Sequence, residues 1–250
     1  RIKEADPNVK VVVNTNYPEL LEGNPYVDEI GSEDKGIFLN YPDPIHRKNP
    51  TQHHILSDFE IVKEAYSLNI TAPELKPELY IDVSDVEKTD KIGVQTIHKG
   101  HWCQKKVWPF FAELSLKNDR FEAIPKFENV KELVKKIASY KAVVCAEGGI
   151  SHIAKALNIP AVVIFGGFAS PTWSGYPNHI NLVNEKECSY CYNPDECTNA
   201  EDRICMREIS IEKVEQCLFP TEQDLFCKQF QCKRGCKVDS EMFIKCRDKA

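Results

Sequence analysis

Two short apolar runs, separated by a segment of helical length, constrain the fold of this chain more than any other feature. Residues 142–146 (AVVCA) and 161–165 (AVVIF) are rich in valine and contain no charged residue. Such runs are typical of strands that are buried on both faces of a parallel sheet. Residues 151–157, between the two runs, read as a helix. A strand, a helix and a second strand in this order predict a parallel α/β sheet.

The alternation of strands and helices extends over most of the chain. We predict further strands at residues 9–14, 28–30, 36–40, 79–83, 91–96 and 121–125. We predict further helices at residues 17–22, 55–68, 108–116, 130–139 and 211–217. Residues 85–90 are polar and charged, so we place a domain boundary there. The expected domains are residues 1–88 and 89–218, followed by a cysteine-rich tail at 219–250.

Charge and hydropathy exclude two classes of protein. The net charge of −6 argues against a nucleic-acid-binding protein, because affinity for nucleic acid depends on basic patches. No apolar run approaches the roughly 18–20 residues needed to span a bilayer. The residues that follow Arg1 are charged and contain no apolar leader. We therefore expect a cytoplasmic protein without a transmembrane segment.

The loops that follow the two apolar runs carry the clearest chemistry. In open α/β sheets, ligands bind at the carboxyl ends of the strands. Gly148 and Gly149 follow the first run and lead into a helix, whereas Gly166 and Gly167 follow the second run. Glycines let the backbone approach a phosphate closely, and a helix N-terminus supplies unpaired N–H groups and a positive dipole end. Glu147 would repel a phosphate, so we expect it to bind sugar or ribose hydroxyls.

The segment EGGISHIAKALNIPAVVIFGG, followed by Pro171 and Gly175-Tyr176, resembles glycosyltransferase family 9, the ADP-heptose:lipopolysaccharide heptosyltransferases. The family pattern is D/E-G/S/T-G-x-x-H-x-A-x-A-L-x-x-P-x-x-x-x-F-G. It is matched here by Glu147, Gly149, His152, Ala154, Ala156, Leu157, Pro160, Phe165 and Gly166. The resemblance implies an α/β fold of the GT-B type. This fold has two Rossmann-like domains that face a cleft, of which the first is incomplete here, and the chain adds a cysteine-rich C-terminal extension.

The resemblance also implies a donor site in the second domain. Lys106-Val107-Trp108-Pro109 matches a K-x-W-P motif whose lysine meets the donor phosphates in the family. The turn at residues 148–152 would cradle the diphosphate, and Glu147 would hold the sugar hydroxyls. The expected donor-binding residues are Thr96, Lys106, Glu147, Gly148, Gly149, Ile150, Ser151, His152, Gly166 and Gly167.

The implied reaction transfers a sugar, expected to be heptose, from an ADP-sugar to a glycan such as lipopolysaccharide core, or to a protein. It needs no catalytic cofactor. The family's acidic catalytic base belongs to a loop that would lie upstream of Arg1, so its identity here is unknown. An acidic ribose contact has no clear match, and Glu122 and Glu128 are only guesses. The implied location is the bacterial cytoplasm, including peripheral association with the inner face of the inner membrane.

Eleven cysteines are many for a chain of 250 residues. Cys188, Cys191, Cys197 and Cys205 form a compact group, and thiolates in close pairs suit a structural zinc or iron ion. Family members often carry a similar set. The alternative is a group of reduced thiols, or of disulfides formed on oxidation. A second group in the tail, with no assignment, comprises Cys217, Cys227, Cys232, Cys236 and Cys246.

Two alternative functions stay open at this point. One is a non-catalytic protein that binds a nucleotide sugar. The other is an interaction module, stapled by metal, on a vestigial GT-B core. His46, next to Arg47 and Lys48, is in addition a candidate contact for an anionic acceptor.

Overall fold

The computed structural model describes residues 2–31, 36–37, 39, 50–98, 106–193, 197, 199 and 201–220. The chain forms two compact units, Arg1–Ile209 and Ser210–Ala250. The predicted domain boundaries at 88 and 218 stay predictions. Part of the predicted strand at 36–40, the group around His46 and the tail after residue 220 lie outside the described residues. So do Cys227, Cys232, Cys236 and Cys246.

The first part of the chain contains a small parallel sheet and one long helix. Its elements are α1 (Ile2–Ala5), β1 (Val12–Val13), a 3-10 turn (Pro18–Leu20), β2 (Glu29–Ile30) and α2 (His54–Ala65). Strand β1 pairs in parallel with β2. The strands predicted at 9–14 and 28–30 are therefore present but shorter. The strand predicted at 79–83 is wrong, because this segment pairs with no described strand and forms no regular element.

The larger sheet has five parallel strands in the order β4-β3-β5-β6-β7. These strands are β3 (Ile92–Val94), β4 (Phe121–Ala123), β5 (Ala142–Ala146), β6 (Ala161–Gly166) and β7 (Ile180–Val183). The other helices of this unit are α3 (Phe111–Leu116), α4 (Val130–Ser139), α5 (Gly149–Ala156), α6 (Pro171–Ser174) and α7 (Ile204–Arg207). The second unit contains α8 (Ile211–Leu218). The predicted parallel α/β sheet is confirmed.

The centre of this sheet follows directly from the sequence pattern. Every residue of β5 and β6 is buried, as expected for strands covered on both faces. Helix α4 begins after Asn129, whose side chain accepts a hydrogen bond of 2.8 Å from the Lys131 N–H. Its apolar side is buried through Val134 and Ile137. The helix predicted at 130–139 is confirmed.

Three contacts help to fix the packing of the larger sheet and the segment before α3. A Cβ on Gly93 would lie 2.5 Å from the ring of Tyr140, so only glycine fits beneath that ring. The buried Tyr140 hydroxyl donates to Glu122 Oε1 at 3.0 Å. The indole N–H of Trp108 donates to the Ile209 carbonyl at 2.7 Å. Helix α3 begins at Phe111, later than the predicted start at 108, and Trp108 is instead a fully buried core residue.

Candidate functional site

The carboxyl ends of β3, β5 and β6 bring the predicted site residues to one edge of the larger sheet. Thr96 follows β3, Glu147 follows β5 and Gly167 follows β6. Gln95 joins the first two ends, because its side-chain oxygen accepts a hydrogen bond of 3.0 Å from the Ala146 N–H. Gln95 was not among the predicted site residues, since a polar residue at a strand end does not by itself indicate a functional site.

The turn between β5 and α5 leaves backbone N–H groups available. Gly148 has φ of +145°. A residue with a side chain would be strained in this conformation, so glycine is required there. The N–H groups of Ser151 and His152 donate to the Gly148 carbonyl. The N–H groups of Gly149 and Ile150 donate to no acceptor within the described part of the chain. These two N–H groups are available to donate hydrogen bonds to an anion, as at other helix N-termini.

Lys106 is anchored directly over this turn. Its ammonium donates to the Glu147 carbonyl at 2.9 Å and to the Glu147 carboxylate Oε2 at 3.2 Å. A Cβ on Gly148 would lie 3.5 Å from the same ammonium. The side chains of Lys106 and Glu147 are 21% and 16% exposed, so the pair is mostly shielded from water. The amino group therefore lies against Glu147 and Gly148, the two residues that precede the open N–H groups.

Glu147 is ionised in this setting. Burial alone would raise the pKa of its carboxyl, but the Lys106 ammonium outweighs burial and holds that pKa below its usual value. His152 and the Ser174 hydroxyl act in the same direction. The Ser174 hydroxyl is fully buried and forms no hydrogen bond of standard geometry with any described group. Glu147 thus offers a charged acceptor for hydroxyl groups beside the Lys106 ammonium.

His152 is neutral and faces Tyr176. Its Nδ1 lies 2.8 Å from the Tyr176 hydroxyl oxygen. Burial, followed by the neighbouring His54, lowers the pKa of His152 to about 4. At neutral pH, His152 therefore contributes hydrogen bonds rather than positive charge. Tyr176 belongs to the sequence motif but had no assigned role.

The start of α2 contacts the same site. The ring centroid of His54 lies 5.4 Å from that of His152 and 5.8 Å from that of Trp173. The ring centroid of His53 lies 5.1 Å from that of Tyr176. Burial, followed by His54, lowers the pKa of His53 to about 4. Sequence analysis missed these contacts because His53 and Tyr176 are far apart in the chain and share no motif.

The second pair of glycines is closely packed. A Cβ on Gly166 would lie 2.5 Å from the sulfur of Met206, and one on Gly167 would lie 2.5 Å from the Ser189 hydroxyl and 3.1 Å from Cys205 Cβ. Both glycines are therefore needed for contact with the cysteine-rich segment. Their predicted contact with the donor stays a prediction.

The predicted cysteine group is held in the same region. Cys188, Cys191, Cys197 and Cys205 are half-buried free thiols. Burial raises the pKa of Cys205, and the other three thiols add to this effect, so each of the three is within electrostatic reach of Cys205. No set of three or more histidine, cysteine or acidic side chains within the described ranges is arranged to hold a metal ion. As described, the thiols are near each other without forming a ligand cage.

The sequence model of glycosyltransferase family 9 (heptosyltransferase) matches residues 116–200. The resemblance to that family is confirmed. The match covers β4 to β7 and the whole turn after β5. No curated protein matches the sequence.

The chain is similar to several solved structures, of which TibC has a TM-score above 0.5. The iron-containing dodecameric glycosyltransferase TibC from enterotoxigenic E. coli H10407 is 16% identical over 80% of this chain and 66% of its own, with a TM-score of 0.58. A family 9 glycosyl transferase from Veillonella parvula DSM 2008 is 13% identical over 78% and 64%, with a TM-score of 0.45. E. coli heptosyltransferase WaaC with ADP is 17% identical over 53% and 50%, with a TM-score of 0.36.

The likeness to TibC supports the GT-B type of fold for this chain. The chain spans 66% or less of the length of each of these three proteins. No helix among the described residues is long and apolar enough to cross a membrane.

Of the predicted donor residues, the structure joins Lys106, Glu147 and Gly148 by direct contacts. It places Thr96 at the same sheet edge.

Proposed function

We propose that this chain carries the donor-binding half of a glycosyltransferase, which moves a heptose from ADP-heptose to an acceptor hydroxyl. The observation that carries the proposal is the Lys106 ammonium, held by Glu147 at the start of the turn that carries the open N–H groups of Gly149 and Ile150. A positive charge and free backbone donors at one point suit a diphosphate. The family match over residues 116–200 supports the choice of a nucleotide sugar.

Each group has a distinct task in the proposed reaction. As the bond between the sugar and the diphosphate breaks, negative charge grows on the leaving phosphate. Lys106 and the two N–H groups stabilise that charge without moving, which lowers the barrier. The Glu147 carboxylate accepts hydrogen bonds from sugar hydroxyls and fixes the anomeric carbon relative to the acceptor. The base that removes the acceptor proton is not assigned to a residue of this chain.

Calorimetric titration with ADP tests the donor site. Lys106→Met should weaken ADP binding by about tenfold to a hundredfold, since a hydrogen bond to a charged group contributes about 1.5–3 kcal/mol. Lys135→Met is the matched control, because Lys135 forms an exposed ion pair with Asp85 on the surface. Equal ADP affinity in wild type and Lys106→Met, with both folded, would remove Lys106 from the site. If the protein binds ADP but transfers no sugar, the result favours the alternative of a non-catalytic protein that binds a nucleotide sugar.

A structural zinc or iron ion on Cys188, Cys191, Cys197 and Cys205 is part of the proposal. The electrostatic influence of the other three thiols on Cys205 supports it, and TibC is described as iron-containing. An ion there would stiffen the segment that packs on Gly166 and Gly167, with no role in the chemical step. Metal analysis of protein purified under reducing conditions should find about one equivalent, and less than about 0.1 equivalent would contradict it.

The setting of the reaction completes the proposal. We assign it to the bacterial cytoplasm, with peripheral contact to the inner membrane if the acceptor is lipid-linked, such as lipopolysaccharide core. The chain's net charge of −6 argues against nucleic acid as a partner.

A further inference from the structure

Tyr176 is a buried residue to which the proposed function gives no task. Its side chain is 1% exposed, and its hydroxyl oxygen lies 2.8 Å from Nδ1 of His152. This is the only hydrogen bond between the hydroxyl and a group that the structure describes. Burial raises the pKa of Tyr176, so the phenol keeps its proton at neutral pH. The hydroxyl therefore has one proton to donate and one described partner.

The imidazole of His152 has one proton for its two ring nitrogens at neutral pH. It is neutral there because burial, followed by the neighbouring His54, lowers its pKa to about 4. In a neutral imidazole, one nitrogen donates a hydrogen bond and the other accepts one. The second nitrogen, Nε2, forms no hydrogen bond with any group within the described ranges. The contact with Tyr176 therefore decides which nitrogen carries the proton.

The two tautomers of His152 differ in what they leave unpaired. If Nδ1 carried the proton, it would donate to the Tyr176 oxygen, and the phenol proton would be buried without a described acceptor. If Nδ1 accepts instead, the phenol proton is paired and Nε2 carries the ring proton. A buried hydroxyl proton without a partner disfavours the first arrangement by about tenfold or more. The hydrogen bond thus favours the tautomer with the proton on Nε2.

Neighbouring side chains hold Tyr176 in place. The ring centroids of His53 and His179 lie 5.1 Å and 5.5 Å from that of Tyr176. The ammonium of Lys155 lies 5.7 Å from the same centroid. The side-chain amide of Asn181 donates to the Tyr176 carbonyl at 3.1 Å. A hydrogen bond from a residue that is itself fixed in this way can hold a binding side chain in one orientation.

We propose that Tyr176 is a positioning residue, which holds His152 as a neutral Nε2–H donor to a phosphate oxygen of the bound nucleoside diphosphate. The inference rests on the proposed function for the identity of that ligand. His152 belongs to the first turn of α5, as do the open N–H groups of Gly149 and Ile150. A neutral N–H adds a hydrogen bond there without a second positive charge near Lys106. The other tautomer would present the lone pair of Nε2, which a phosphate oxygen repels.

NMR of the ring nitrogens, in the whole chain made with isotope-labelled histidine, measures the tautomer directly. At pH 7.5, His152 should have an accepting Nδ1 and a protonated Nε2, and its signals are identified by their absence from His152→Gln. In Tyr176→Phe, which keeps the ring and removes the hydroxyl, the form with the proton on Nδ1 should become populated. The matched control is Tyr80→Phe, because the Tyr80 hydroxyl donates to Glu78 Oε2 at 2.8 Å on the surface.

ADP titrations measure the consequence for binding. Tyr176→Phe should weaken ADP binding by about threefold to tenfold, the effect expected from the loss of one hydrogen bond that orients a binding group. Tyr80→Phe should leave both the affinity and the His152 signals unchanged. In the wild type, ADP should shift the Nε2 signal of His152 more than the Nδ1 signal.

The outcomes separate this inference from the proposed function. A proton on Nδ1, or on both nitrogens, in the wild type at pH 7.5 overturns the inference. So does a folded Tyr176→Phe that keeps the wild-type tautomer or the wild-type ADP affinity. If Tyr176→Phe does not fold, the wild-type tautomer and the response of Nε2 to ADP decide instead. A wild type that binds no ADP contradicts the proposed donor site, whereas the role of Tyr176 in setting the tautomer is still decided by the Tyr176→Phe spectrum.

Discussion

Replacing Lys106 with methionine should destabilise the fold in a way that depends on pH. The pair is separated by 3.2 Å, and at an effective dielectric constant of about 20 this distance gives a Coulomb attraction of roughly 5 kcal/mol. Desolvation of both groups offsets part of that attraction. Removing Lys106 leaves the Glu147 carboxylate buried without its partner. We expect a loss of about 2–3 kcal/mol in the free energy of unfolding at pH 7.5.

The sign of the pH effect follows from Glu147. In the wild type its folded pKa is below the reference value of 4.5, so the ion pair contributes its full stability above that value and loses it as pH falls through the folded pKa. Without Lys106, burial should raise the pKa instead, and Glu147 then takes up a proton in mild acid. The difference in stability between wild type and variant should therefore be largest at pH 7.5 and clearly smaller at pH 5.

Urea unfolding followed by tryptophan fluorescence at the two pH values measures this difference. Glu147→Gln in the Lys106→Met background should recover part of the loss, with a coupling of about 1–2 kcal/mol. The control Lys135→Met should stay within about 0.5 kcal/mol of wild type at both pH values. A Lys106→Met loss that is under 0.5 kcal/mol, or that is equal at pH 5 and pH 7.5, would refute the reasoning about this pair.

Three packing predictions follow from other contacts. Gly93→Ala should cost about 1–3 kcal/mol because its methyl group meets the Tyr140 ring, and an unchanged urea midpoint would contradict this. Trp108→Phe should cost about 1–2 kcal/mol through the lost hydrogen bond to the Ile209 carbonyl, and thermal unfolding of wild type and variant measures it. Gly167→Ala should displace the cysteine-rich segment and speed labelling of its thiols by Ellman's reagent; labelling at the wild-type rate would show that the methyl group is accommodated.

Much of the larger sheet could be predicted from the sequence, because its signals are local and strong. The uncharged runs of β5 and β6 have no helical period, and α4 has an N-capping asparagine and a regular apolar face. The glycine turn after β5 was recognisable because Gly148 and Gly149 stand between a buried strand and a helix. These features depend on neighbouring residues, so they can be read without the fold.

Contacts over long distances could not be predicted in the same way. Residues 79–83 are apolar apart from Asp82, as in a short strand, but they have no pairing partner among the described residues. Strand β7 was not predicted, because it is short and directly follows the loop that contains Pro177. The meeting of His54 with Trp173, which joins α2 to the site, depends on how the first part of the chain packs on the larger sheet. No sequence motif in either segment predicts that contact.

Hydrogen–deuterium exchange of the whole chain, with and without millimolar ADP, tests the central claim most directly. In the proposed site, the diphosphate binds both the N–H groups of Gly149 and Ile150 and the ammonium of Lys106. ADP should therefore slow exchange in the peptide that covers residues 147–152, and Lys106→Met should remove that protection at the same ADP concentration. No protection of this peptide, or protection that persists without Lys106, would contradict the account.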